Sequence, residues 1–378
     1  MKSKLFPLFA LLVLLAAPCA AEDDSAVFTV RDEHAQPLFA IAGTVSEGDE
    51  YISAGNVLYR IQRVDGTSAV AQRIGEETMP DVSWLDAGMA QPVFAGMGRA
   101  VMAAKTGGEG DRRLIAMYVT HSDESYIPSD GTQSIEGQGG IYDVAREFRD
   151  ALQQKGIDVI LDESTHLPHD SGAYRRSRRT AERLLVHMPD AIIDIHRDGI
   201  PDPQEYTATI KGENASQVRL LVGRSNQNSE VNRAFAKQIK AVADKKYPGL
   251  IKDIFIGKGN YNQDLSPNAI LLEFGTHTIS KERVLNSTDV MADVVSTTLY
   301  GPQTGSAQSA ESAKAAQSAQ KEKDKGSMKG VGLLLAIVVV GVIIFALAQT
   351  GGGKAMAGKI GRNMREMTGG LIGKKNKE

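Results

Sequence analysis

Between residues 114 and 276, strand-like and helix-like stretches take turns along the chain. That alternation restricts the segment to a sheet whose two faces are covered by helices. Apolar runs at 114–120, 158–161, 191–195, 218–222 and 269–273 read as strands. The stretches at 142–155, closed by Gly156, at 173–186 and at 229–246 read as helices. The expected fold class is α/β, a mainly parallel sheet with helices on both faces. In such a sheet the side chains that do chemistry gather beyond the carboxyl ends of neighbouring strands.

Three of these strands end on titratable residues. The run Thr120-His121-Ser122-Asp123-Glu124 closes the first, Asp194-Ile195-His196-Arg197-Asp198 closes another, and Leu271-Leu272-Glu273 ends a third. A hydrolytic zinc site needs two or three imidazoles or carboxylates and an open position for water. His121 and His196 meet the first demand. The third ligand is Glu124 or Glu136, and the short His121-x-x-Glu124 spacing, with both groups on one loop, favours Glu124. Glu273 stands at a strand end where an unligated carboxylate serves as a proton-transferring base. The competing reading is a strand-end carboxylate paired with an arginine. Arg197 adjoins a proposed ligand, and its planar fork suits a substrate carboxylate. Arg175 and Arg178 are weaker substrate contacts, because an arginine-rich helix face is ordinarily solvated. His34 reads as a surface side chain, and His166, His169 and His187 as loop or helix-end residues without a matching partner.

The two ends of the chain indicate where such chemistry would take place. Residues 1–21 carry two lysines, an apolar run at 5–17 and small residues ahead of Glu22, the three parts of a secretory signal. A lipoprotein reading through Cys19 is disfavoured by Pro18. Cleavage after Ala21 removes the single cysteine, which excludes disulfides and thiolate ligands from the mature chain. The uncharged run 331–348, within an expected transmembrane helix at 329–349, has the length needed to cross a bilayer. The tail at 350–378 is basic, as on the cytoplasmic side of a span, and its lysines would rest against anionic headgroups. The expected location is the cell membrane, crossed once, with the globular part outside.

Residues 301–328 are rich in Ser, Ala, Gln and Lys and read as a flexible linker. Residues 22–108 show short alternating runs broken by Gly48-Asp49, Asn56 and Asp65-Gly66, and read as a small β-rich module without catalytic residue types. The segment 87–110, rich in Gly and Ala, reads as the joint to a catalytic domain at 109–300. A formal net charge of −3 and 6% aromatic residues give no sign of a nucleic-acid surface.

Several of these motifs, in one order, resemble the stage II sporulation protein P family. They are Thr120-His121-Ser122-Asp123-Glu124-Ser125-Tyr126, Tyr174-Arg175-Arg176-Ser177-Arg178, Asp194-Ile195-His196-Arg197-Asp198, Asn260-Tyr261-Asn262-Gln263-Asp264-Leu265-Ser266-Pro267 and Leu271-Leu272-Glu273. The resemblance implies a zinc-dependent peptidoglycan hydrolase of the N-acetylmuramoyl-L-alanine amidase fold, acting during sporulation engulfment. Some members are also described as cutting cross-links between stem peptides. It places the family's metal ligands on His121 and His196, its catalytic glutamate on Glu273, and a motif position on Glu124. It also implies a partner resembling stage II sporulation protein D, a lytic transglycosylase. Two features depart from the family: the anchor lies at the carboxyl end, and His277 follows Glu273 where a glycine- and asparagine-containing turn is usual. His277 is thereby either an extra group beside the zinc or a plain rim residue. Two other function classes fit the residues, a zinc carboxypeptidase or endopeptidase on wall peptides and a non-catalytic wall-binding scaffold.

Overall fold

The computed structural model describes residues 26–86 and 112–302. The expected signal at 1–21, the joint at 87–110, the transmembrane helix at 329–349, the basic tail and all but the first two linker residues lie outside them. Among the described residues no helix is long and apolar enough to cross a membrane. The described residues all fall within the first of the chain's two units, which runs to Ser309.

The amino-terminal strands are β1 (Val27–Asp32), β2 (Pro37–Ala42), β3 (Glu50–Ile52), β4 (Val57–Asp65) and β5 (Ser68–Glu76). The remaining strands are β6 (Leu114–Tyr118), β7 (Asp158–Asp162), β8 (Ala191–Asp198), β9 (Thr207–Ile210), β10 (Glu213–Ser216), β11 (Val218–Gly223), β12 (Ile251–Gly257) and β13 (Ala269–Thr276). The helices are α1 (Ile127–Asp130), α2 (Ile141–Gln154), α3 (Ala173–Leu185), α4 (Ser229–Lys246) and α5 (Lys281–Tyr300).

Eleven strands form one sheet in the order β2-β1-β5-β4-β3-β12-β11-β13-β8-β6-β7. The four strands β7, β6, β8 and β13 are mutually parallel. The pair β11 and β12 is also parallel, but β11 runs antiparallel to β13. The sheet is therefore mixed, not mainly parallel as the alternation predicts. The cause lies in the β9–β10 hairpin, which turns the chain round before β11, and in the antiparallel hairpins of the amino-terminal strands. The small β module is joined to the rest by backbone hydrogen bonding, because β3 pairs antiparallel with β12.

Alternation of side chains along each central strand divides them between two covers. Ile115, Met117, Ile193, Ile195, Ile270 and Leu272 face one side, where α2, α4 and α5 pack in a continuous core. On the other side Ala116, Tyr118, Ile192 and Ala269 meet Ala181 and Leu184 of α3. Beside them Leu221, Phe255 and Leu271 meet Phe39, Ile41 and Tyr51 of the amino-terminal strands. Those strands stand where a doubly wound sheet would carry another helix. The second face, between α3 and β2, is where the polar residues of β8 and β13 emerge.

Candidate metal centre

On β8 the positions facing α3 and β2 are Ile192, Asp194, His196 and Asp198, so the alternation that buries the strand delivers three titratable groups to one side. Glu273 of β13 sits directly opposite His196 in the parallel register. His121 and Glu124 come from the loop that leaves β6. That loop folds back tightly, with the Glu124 amide donating to the His121 carbonyl at 3.2 Å. Gly139 packs against it so closely that a Cβ there would lie 2.3 Å from the Glu124 carbonyl oxygen. A glycine is required at that contact.

The structure brings His121, Glu124 and His196 together, with one donor atom from each lying within 4.8 Å of the others. Glu124 Oε1 is 3.3 Å from His121 Nδ1 and 3.4 Å from His196 Nδ1. Both separations are within reach of a single ion held between the three groups. Three further atoms around this point, His121 Nε2, His196 Nε2 and Glu273 Oε2, are buried without a hydrogen-bond partner. Glu273 Oε2, on the strand position opposite His196, is an orphan of a kind uncommon in folded proteins, and it fits a site built for a charged group. Asp194 Oδ1 lies 3.1 Å from His196 Nε2, outside hydrogen-bond alignment but near enough to orient the ring. Asp194 is itself fixed by the Thr120 amide at 2.9 Å and the Thr120 hydroxyl at 2.6 Å.

The electrostatics follow from burial and close charge. Burial opposes ionisation of Glu124, yet His196 and His121 hold its carboxyl well below the usual range. Burial likewise opposes a charged His196, but Asp194 and Glu124 hold its imidazolium well above the ordinary histidine value. Burial lowers His121. Burial, then the charge of Asp198, pushes Glu273 up to about 8.

Glu136, the other candidate third ligand, is exposed and outside the cluster. Arg197 supports the ligand loop: its amide donates to Glu124 Oε2 at 2.9 Å. Its three guanidinium nitrogens donate to the carbonyls of Ser125, Asp198 and Gln133. Arg178 is committed to Asp264 through two bonds of 2.8 Å. Arg175 is exposed and lines the same cavity as His121, Glu124, His196 and Glu273, a space of about 880 Å³. His277 lines it too, its amide bonded to the Asp198 carbonyl.

His169 corrects the sequence reading, which gave it no partner. Its Nδ1 is 2.9 Å from Asp123 Oδ1, and its ring stacks on that of His121 with centroids 4.0 Å apart. No spacing rule links it to Asp123, 46 residues away. His166 is a core residue, its ring bonded to the Val119 carbonyl and the Thr180 hydroxyl.

The sequence model of the family described as stage II sporulation protein P matches residues 67–296. The stage II sporulation protein P of Bacillus subtilis (strain 168) is 30% identical over 221 residues, which cover 53% of this chain and 55% of that protein. The chain thus matches little more than half the length of that curated relative. Among solved structures, the N-acetylmuramoyl-L-alanine amidase AmiC2 of Nostoc punctiforme is 12% identical at a TM-score of 0.34, covering 50% of this chain and 97% of that one. The amidase Ami1 of Mycobacterium smegmatis is 17% identical at 0.34, covering 50% and 96%. The CwlD amidase of Clostridioides difficile, solved with the GerS lipoprotein, is 15% identical at 0.33, covering 50% and 96%.

Proposed function

The chain belongs to the stage II sporulation protein P family, and from that premise we propose that it is a zinc-dependent peptidoglycan hydrolase. It cleaves the amide between the lactyl group of N-acetylmuramic acid and L-alanine, in wall remodelling during sporulation. The observation that carries this reading is the buried His121, Glu124 and His196 cluster with Glu273 facing His196 from the next strand. The donor set of two imidazoles and one carboxylate suits zinc.

A divalent cation held by the three would supply a Lewis acid for the scissile carbonyl and lower the pKa of a water molecule. Glu273 takes the proton from the attacking water and delivers it to the departing nitrogen, so that the C–O bond forms, the C–N bond breaks and the amine leaves neutral. Arg197 keeps Glu124 aimed by the amide bond to Oε2 and holds the loop through its carbonyls. Arg175, an exposed residue of the cavity wall, would meet a stem-peptide carboxylate.

The working location is the outer face of the cell membrane, tethered through 301–328 to the span at 329–349, beside a lytic transglycosylase resembling stage II sporulation protein D. The deciding experiment is mass spectrometry of muropeptides digested by the purified protein, with its metal content measured. Loss of the whole stem supports the amidase. Loss of a terminal residue makes it a carboxypeptidase, a cut within the stem an endopeptidase, and absence of both metal and turnover a wall-binding scaffold.

A further inference from the structure

The amino-terminal strands form part of the wall of the catalytic cavity. Ile41, Ala42, Gly43 and Thr44 line it together with the metal cluster and Glu273. This wall is anchored from inside the protein. Ala42 N–H donates to Asp198 Oδ1 at 3.0 Å, and Arg219, fully buried, bridges the Ala40 carbonyl at 3.0 Å to Asp198 Oδ2 at 2.8 Å. Asp198 is two residues from His196, so one carboxylate ties the position of β2 to the strand that carries a proposed ligand.

Immediately beyond β2 the backbone ceases to be paired. Gly43 N–H completes the ladder to the Ala26 carbonyl, after which the Gly43 carbonyl and the Thr44 amide and carbonyl make no hydrogen bond among the described residues. Gly43 is left-handed, at φ +107°, and a Cβ there would have nothing within 4 Å. Among the described residues this leaves a short open edge, with space beside Gly43, next to the proposed hydrolytic centre. An extended peptide is the ligand such an edge takes, because its amides and carbonyls match those left open.

We propose that Gly43 and Thr44 form a peptide subsite, which receives the stem peptide on the leaving-group side of the scissile amide and holds it by its main chain. This rests on the hydrolase reading above and adds to it a residue pair outside the chemistry. The subsite makes the amino-terminal strands a specificity element of the enzyme.

Two measurements on the full chain test it. First, turnover is compared for a muramoyl substrate bearing the whole stem and one cut back to L-alanine, with the parent and with Thr44→Pro, which removes the N–H. The parent's preference for the whole stem, as a ratio of kcat/KM, is expected to fall about tenfold, the worth of one or two main-chain hydrogen bonds. An unchanged ratio overturns the subsite. Second, the parent alone is titrated with a fluorescent stem peptide and with versions N-methylated at one amide at a time, which needs no folded variant. At least one methylation is expected to weaken binding about tenfold. Uniform affinity across the series overturns the proposal. Binding that depends on one amide, by a parent that cleaves nothing, would sink the hydrolase reading and leave the subsite standing.

Discussion

At the scale of single residues, the site separates two carboxylates by what surrounds them. Glu124, buried between His121 and His196, is held well below the usual carboxylate range, whereas Glu273 is pushed up to about 8 by burial and then by the charge of Asp198. One is suited to bind a cation and the other to exchange a proton. Glu273→Gln is expected to retain metal and lose about 10²–10⁴-fold in turnover, as removal of a general base does. Metal analysis beside the muropeptide assay checks both halves. His196→Ala should instead release the metal, with turnover falling as a consequence. Stripped of metal, Glu273 also makes a prediction for stability. Its folded pKa lies above its unfolded value, so the stabilisation from its neutral form is complete below the unfolded pKa near 4.5 and is lost as pH rises through about 8. The chelated Glu273→Gln protein should therefore gain in melting temperature over the chelated parent as the pH is raised across that window. A gain that shrinks with pH would contradict it. The ligand types were legible at strand ends, since a histidine closing an apolar run is visible in sequence. The partner of His169 was not: that histidine meets Asp123 only through a loop whose path no local pattern encodes.

At the scale of elements, Arg219 decides how the amino-terminal strands meet the rest. It binds Asp253 through Nε at 2.7 Å and Nη2 at 3.1 Å, and reaches Asp198 and the Ala40 carbonyl with what remains. Both arginine and Asp253 are completely buried. Removing one member of such a group leaves the others charged and unsolvated, so Arg219→Ala is expected to cost about 3–5 kcal/mol of stability. Denaturant titration would measure it, and a loss below about 1 kcal/mol would show the group to be dispensable. The elements themselves were legible where a periodic pattern exists. Helices expected at 142–155, 173–186 and 229–246 are found at Ile141–Gln154, Ala173–Leu185 and Ser229–Lys246. Two large elements went unread, α5 and β12. Helix α5 buries Ser287, Thr288, Ser296, Thr297 and Thr298 along with its apolar residues, so polar and apolar positions do not mark its faces. In β12 the buried Asp253 breaks the apolar run because its partner, Arg219, lies 34 residues away in sequence. The parallel sheet was expected from alternation alone, which carries no information on strand direction once a hairpin such as β9–β10 intervenes.

At the scale of the molecule, the question is whether the amino-terminal strands are an accessory or part of the catalytic body. The residues that would answer are shared. Leu221, Phe255 and Leu271, from three adjacent central strands, pack against Phe39, Ile41 and Tyr51, and Phe39 stacks on Tyr51 with centroids 4.1 Å apart. Without β1 to β5, those three apolar side chains would face water, at roughly 1.5–3 kcal/mol each for a fully buried residue. Arg219 would lose the Ala40 carbonyl, and Glu50, which pairs with Arg233 of α4, would be gone. Strand β12 would become an open edge with unpaired backbone groups, a template for association with other chains. Together these losses match the whole stability of an ordinary domain, about 5–15 kcal/mol. A fragment of residues 112–302 is therefore expected to aggregate or to melt without a cooperative transition, although it holds every residue proposed to bind metal or move protons. Calorimetry of that fragment against 26–302 makes the comparison. A sharp transition and bound zinc in the shorter piece would make the amino-terminal strands a separable module and leave the cavity wall at Gly43 and Thr44 an adjunct to an independent enzyme.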